Sequence, residues 1–157
     1  MFYKYQNNKG YSFVEILITI AVLAVISSAI TASFFSFYKT RALGKEAARV
    51  LDLIHEARSK TVSSKDASEY GMHFDASRAV LFKGIIFTET SSDNKEITLL
   101  NSVEIFDISL NQGAGDLFFK RITGETDNFG IIRFRLKGNS DKIKTIVISG
   151  GGIAELK

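Results

Sequence analysis

From Ile16 to Tyr38 the chain runs 23 residues without a charge. As an α-helix rising 1.5 Å per residue, this run spans roughly 34 Å, enough to cross a hydrocarbon core of about 30 Å. A soluble helix of this kind would need burial on all sides. The remainder of a 157-residue chain is too small to provide that. One membrane span is therefore expected. Proline is absent, so no proline kink can interrupt it.

Three readings compete for the N-terminus. One is a permanent signal anchor. Another is a secretory signal peptide, with Lys4 and Lys9 as its charged region, 16–26 as its apolar region and Ser27-Ser28-Ala29 as a small-residue cleavage site. The third is a leader cut before the apolar segment. Two features favour the third. Apolar character continues past Ala29 to Tyr38, so a cut there would leave an apolar stub. Glu15 also abuts the run directly, where an anchor has little use for a carboxylate. Lys39, Arg41, Lys45 and Arg49 follow the span as closely as Lys4 and Lys9 precede it, so the positive-inside rule does not choose an orientation.

Lys9-Gly10-Tyr11-Ser12-Phe13-Val14-Glu15, followed at once by the apolar helix, resembles the prepilin cleavage and methylation motif of type IV pilins and type II secretion pseudopilins. The resemblance implies that a prepilin peptidase cuts after Gly10 and N-methylates Tyr11, leaving Glu15 fifth in the mature chain as the assembly carboxylate. The usual first residue is Phe; Tyr11 adds only a hydroxyl. It also implies N-in orientation in a bacterial inner membrane, with the head in the periplasm or outside, and later transfer into a filament. The physics agrees. An Asp at the centre of a membrane helix is put at roughly 2.5–3.5 kcal/mol on insertion scales, so an acid there usually has a partner. The N-terminal ammonium of an adjacent subunit would neutralise Glu15 and fix the stagger between helices. Ala21, Ala24, Ser28, Ala29 and Ala32 would let those helices approach closely. A second reading stays open beside this one: Ser12-Phe13-Val14-Glu15 is also a capping-box pattern.

Beyond Tyr38 the helical period persists. Leu43, Ala47, Val50, Leu51, Ile54 and Ala57 form one apolar stripe, with Arg41, Lys45, Glu46, Arg49, Asp52 and Glu56 on the other faces. One helix is expected over 12–62, with 63–68 as its exit loop. The rest reads as β: short aromatic and β-branched runs at 70–74, 79–83, 85–90, 96–100, 103–110, 117–122, 130–136, 142–149 and 153–156. Gly113-Ala114-Gly115 and Lys137-Gly138-Asn139-Ser140-Asp141 break the runs, and Gly150-Gly151-Gly152 turns into the last. The order resembles GspH/FimT-type minor pseudopilins and minor pilins, in Glu56-Ala57-Arg58-Ser59, Tyr70-Gly71-Met72-His73-Phe74 and Thr145-Ile146-Val147-Ile148-Ser149. The fold class expected is α+β, a long N-terminal helix packed on an antiparallel sheet head. Its plan is a leader at 1–10, a transmembrane and polymerisation helix at 11–38, an amphipathic continuation at 39–62 and a β-rich extracytoplasmic head at 63–157.

Little points to chemistry. The charge balance is mild, 20 Lys+Arg against 17 Asp+Glu, and removing Lys4 and Lys9 leaves 18 against 17. Net charge thus requires neither nucleic acid nor an anionic surface. No cysteine is present to make a disulfide, a thiol nucleophile or a metal ligand. Neither His55 nor His73 has a Cys, second His or carboxylate recognised at ligand spacing. Asp93, Asn94 and Glu96 read as a solvated turn rather than a Ca²⁺ loop, and Gly150-Gly151-Gly152 lacks the Lys-Ser/Thr and helix of a phosphate loop. The expectation is a structural subunit of a secretion pseudopilus or a pilus, not an enzyme, with no cofactor. Its partners are a prepilin peptidase, other pilin-like subunits and the membrane. The alternative is a DNA-binding minor pilin for transformation. It would need Lys120, Arg121, Arg133, Arg135, Lys137, Lys142 and Lys144 gathered on one face. Some members of the family bind DNA through a C-terminal Gly-Arg-x-Arg element, and the matching place here, Gly152-Ile153-Ala154-Glu155, has no arginine.

Overall fold

The computed structural model describes residues 10–113 and 115–157, leaving aside the side chains at 29, 32, 33, 35, 36, 112, 139 and 140. The leader positions 1–9, and Ala114 in the expected chain break, lie outside the described residues. The chain divides into two units, Met1–Tyr38 and Lys39–Lys157, each described by itself.

One helix, α1, spans Phe13–Val62. In the first unit it is apolar on every face: Phe13, Ile16, Leu17, Ile18, Ile20, Val22, Leu23, Val25 and Ile26 are all exposed. A helix hydrophobic all round calls for a covering from outside itself. The hydroxyls of Thr19, Ser28 and Thr31 donate to the carbonyls of Glu15, Val25 and Ser27, so their polarity is satisfied within the helix. Among the described residues no helix is long and apolar enough to cross a membrane. The sequence is uncharged across all of 16–38. Of the small residues expected at helix contacts, Ala21, Ala24 and Ser28 are exposed. The side chains of Ala29 and Ala32 are outside those described.

In the second unit α1 buries Leu43, Ala47, Val50, Leu53, Ile54 and Ala57. Three positions depart from the expected stripe, Leu53 being buried outside it. Leu51 is only half-buried, and Glu46, expected on a polar face, is 2% exposed. At about 100° per residue, 46 and 53 lie on one flank of the stripe and 51 on the other, so the covered arc is wider toward Glu46. Its carboxylate accepts from Arg49 Nη1 at 2.8 Å. Near the helix end Thr61 is fully buried. Its hydroxyl donates to the Ala57 carbonyl at 3.0 Å and accepts the Tyr70 N–H at 2.9 Å, joining the helix to the first strand.

Eight strands follow: β1 (Tyr70–Asp75), β2 (Arg78–Lys83), β3 (Lys95–Thr98), β4 (Val103–Leu110), β5 (Asp116–Phe118), β6 (Gly130–Leu136), β7 (Asn139–Ile148) and β8 (Ala154–Leu156). They form two four-stranded sheets, β3-β2-β1-β5 and β4-β6-β7-β8, with every pairing antiparallel. The expected α+β class holds. β6 shows the cause most plainly: Ile132, Phe134 and Leu136 point inward while Arg133 and Arg135 alternate outward. The core gathers the α1 stripe, Met72, Phe74 and Leu81 from the first sheet, and Ile132, Phe134, Ile146 and Ile148 from the second.

The expected strand at 85–90 is a loop. Phe87 stacks on His73, with centroids 4.0 Å apart and planes 5° from parallel, and meets Phe82 at 5.6 Å. The loop thereby lies on the outer face of the first sheet, where Val80 and Phe82 are buried apart from the main core. Gly71 belongs to this arrangement, because a Cβ there would stand 2.5 Å from Phe82 Cζ. The run expected at 117–122 likewise stops at Phe118 and turns.

Candidate assembly site

Gly10 and Tyr11 precede α1 and are exposed, Tyr11 at 80%. The Ser12 carbonyl accepts the Ile16 N–H at 3.2 Å, starting the helix. Glu15 therefore sits in the first turn, where a negative charge suits the unsatisfied N–H groups and the helix dipole. Among the described residues its carboxylate makes no hydrogen bond to the Ser12 N–H, so the capping box is not formed. Tyr11 and Glu15 line one shallow surface hollow with Ile16, Thr19 and Ile20. The arrangement offers an exposed backbone at Gly10 and Tyr11 and an exposed carboxylate on an apolar helix.

The head holds polar groups that the sequence did not bring together. His73, half-buried on β1, has Asp116 Oδ1 at 2.6 Å from Nδ1 and Asp75 Oδ1 at 3.4 Å from Nε2. The sequence offered His73 no carboxylate at ligand spacing, and the fold brings these two to it. Asp116 arrives from β5, 43 positions away. Arg78 is the second centre, donating to Asp75 at 2.8 Å, to both oxygens of Glu89 at 2.6 and 2.9 Å, and to Glu96 at 3.1 Å. Its hydrogen bonds hold the Asp75 and Glu89 carboxyls below the usual carboxylate range. Asn94 donates to the carbonyls of Thr88 and Glu89, so 93–96 works as a loop clasp. Among the described residues no three or more His, Asp or Glu gather as metal ligands.

The basic residues of the DNA-binding alternative do not share one face. Arg133 pairs with Asp107 at 2.6 Å, Arg135 with Glu104 at 2.6 Å and Lys120 with Asp127 at 2.7 Å. The Arg135 guanidinium also lies over the Phe106 ring. Register sets Lys144 opposite inward-facing Phe134, on the other side of the sheet from Arg133 and Arg135.

Two loops meet the end of α1. Arg58 donates from Nε to the Gly124 carbonyl at 3.1 Å and from Nη2 to the Gly151 carbonyl at 3.4 Å. The Thr126 N–H reaches the Gly150 carbonyl at 3.0 Å. His55 Nε2 lies 3.0 Å from the Ala154 carbonyl. Gly150-Gly151-Gly152 is the expected turn, with Gly152 in the left-handed region at φ 75°.

In sequence, residues 5–31 match the prokaryotic N-terminal methylation motif. No curated protein matches the chain in sequence. In structure it is similar to the type IV minor pilin FimU of Pseudomonas aeruginosa, with a TM-score of 0.58, 14% identity, and coverage of 77% of this chain and 92% of that one. It is similar also to the minor pseudopilin EpsH of the Vibrio cholerae type II secretion system, with a TM-score of 0.57, 15% identity, and coverage of 74% and 94%. The chain thus carries an N-terminal methylation motif and, through most of its length, a fold similar to those of a minor pilin and a minor pseudopilin.

Proposed function

We propose that the chain is a structural minor subunit of a type II secretion pseudopilus or a type IV pilus. A prepilin peptidase cuts after Gly10, and Tyr11 becomes the N-methylated first residue. The mature chain then waits as a single span in the bacterial inner membrane, residues 16–38 in lipid and the head outside the cytoplasm. On assembly the helix passes from lipid into a filament core, where the Glu15 carboxylate meets the terminal ammonium of a neighbour.

One observation carries the reading. The methylation motif covers the start of a helix that is apolar on every described face and bears a lone acid in its first turn. Such a helix is matched to lipid or to other apolar helices, and its acid to an amine. FimU comes from a pilus and EpsH from a secretion system, so both assemblies stand as homes for this subunit.

N-terminal sequencing with intact mass measurement of membrane-extracted protein tests it. An N-methyl-Tyr start is expected. An intact Met1, or a start near Ile30, overturns the reading.

A further inference from the structure

On the outer face of the first sheet, register sets His73 between Val80 of β2 and Asp116 of β5, and Asp75, two residues on in β1, shares that face. Asp116 Oδ1 lies 2.6 Å from Nδ1 and Asp75 Oδ1 3.4 Å from Nε2, so each ring nitrogen faces an acid. Only the imidazolium carries a proton on both nitrogens. A neutral ring in this plane would aim a lone pair at a carboxylate, so the plane observed suits the charged ring. Phe87 stacks on that plane, 5° from parallel. A cation over an aromatic face is attracted to its π-electrons.

Phe87 belongs to a strap, residues 84–94, laid over this face, where Val80 and Phe82 are buried outside the main core. Both ends of the strap are tied by hydrogen bonds. The Gly84 N–H donates to the Glu69 carbonyl at 2.8 Å, and farther on Arg78 grips Glu89 while Asn94 donates to the carbonyls of Thr88 and Glu89. Between the ties, Ile85 and Ile86 are exposed, and the backbone of 85–87 makes no hydrogen bond among the described residues. The Phe87 ring, on His73 and Phe82, is what holds this stretch down.

We propose that His73 gates this strap by its charge: as the imidazolium, gripped at both nitrogens, it holds Phe87 down, and on losing its proton it releases residues 85–87 and uncovers Val80 and Phe82. Histidine is the side chain whose charge changes nearest neutral pH. The strap is closed on the acid side of that change and opens as pH rises through it. The charges around the ring fix this sign. Asp75 and Asp116 face it directly. Glu89 on the strap and Glu96 on β3 lie beyond, both bonded, like Asp75, to Arg78 on β2. Asp93, farther along the strap, is exposed. Arg78 is thus shared among three carboxylates, and Glu89, the charge that the strap brings to this face, has the sign that attracts an imidazolium. The Arg78 hydrogen bond holds the Asp75 carboxyl below the usual carboxylate range, so its charge persists into mild acid. Both sheets stay folded through the change, which is confined to the strap.

The chain has no tryptophan, so Phe87→Trp reports on the strap alone. In the full chain in detergent micelles, acrylamide quenching of that tryptophan is expected to rise about threefold from about pH 5.5 to about pH 8.5. Asp116→Asn in the same background is expected to move the midpoint to lower pH, because it removes a carboxylate that attracts the charged ring. His73→Gln is expected to abolish the pH dependence. The unsubstituted protein supplies a reading without a new side chain: the nuclear Overhauser contact between the His73 and Phe87 rings is expected at the lower pH and lost at the higher. A ring contact that persists unchanged at the higher pH overturns the proposal whatever the tryptophan shows. So does a midpoint that Asp116→Asn leaves in place, or a pH dependence that survives His73→Gln.

Discussion

The Gly124 carbonyl occupies the space that a side chain on Gly152 would need, and Arg58 donates to the same oxygen. Backbone packs directly on backbone here. Gly152→Ala would meet that carbonyl and impose an L side chain at φ 75°. It is expected to destabilise the protein by about 2 kcal/mol or more, read as a lowered thermal midpoint in detergent. Gly44→Ala, where nothing stands within 4 Å of the new Cβ, is expected to be neutral or slightly stabilising.

Thr61→Val removes the acceptor of the buried Tyr70 N–H while keeping the side-chain shape. A buried donor left without a partner is worth about 1–3 kcal/mol, so a loss near 2 kcal/mol is expected. Thr61→Ser, which keeps the hydroxyl, is expected to recover most of it. Denaturant unfolding of the three proteins measures both.

The acid limb of the stability profile follows from the ion pairs. The Arg78 hydrogen bond holds the Asp75 carboxyl below its ordinary 3.8, and bonds from Lys60 and then Lys95 hold Glu56 below its ordinary 4.5. Both pKa values are lower folded than unfolded, so the stabilisation is present above the ordinary values and lost as pH falls through the folded ones. The thermal midpoint is expected to be level from about pH 7 to 5 and to drop below about pH 4. Arg78→Gln is expected to lower the plateau and make the acid limb shallower.

Glu15→Leu is expected to leave membrane insertion and the head's circular dichroism unchanged while filament incorporation falls about tenfold or more. Immunoblotting of sheared filaments against membrane fractions reads it. Normal incorporation of the leucine variant would sink the role proposed for Glu15.

The long helix, seven of the strands and part of β5 were legible because their periods survive burial: 3.6 along Leu43, Ala47, Val50, Ile54 and Ala57, and 2 along Ile132, Phe134 and Leu136. The run at 85–90 has strand composition, yet Phe87 turns back onto His73, a contact made by tertiary packing that no local pattern encodes. Glu46 was misplaced because a helix flank is buried by neighbours, not by its own periodicity. The N-terminal motif is local and could be read directly. The His73–Asp116 contact and the hydrogen bonds from Arg58 to the Gly124 and Gly151 carbonyls could not, since each joins distant segments.

The Ile105 N–H donates to the Ala76 carbonyl at 2.9 Å, and the Leu99 N–H to that of Ser77 at 2.8 Å. The turn of the first hairpin thus closes part of the open margin of β4, the outermost strand of the other sheet. The two layers share amide protons as well as side chains. Neither can fray there without exposing the other, and a stray extended peptide finds that stretch already occupied.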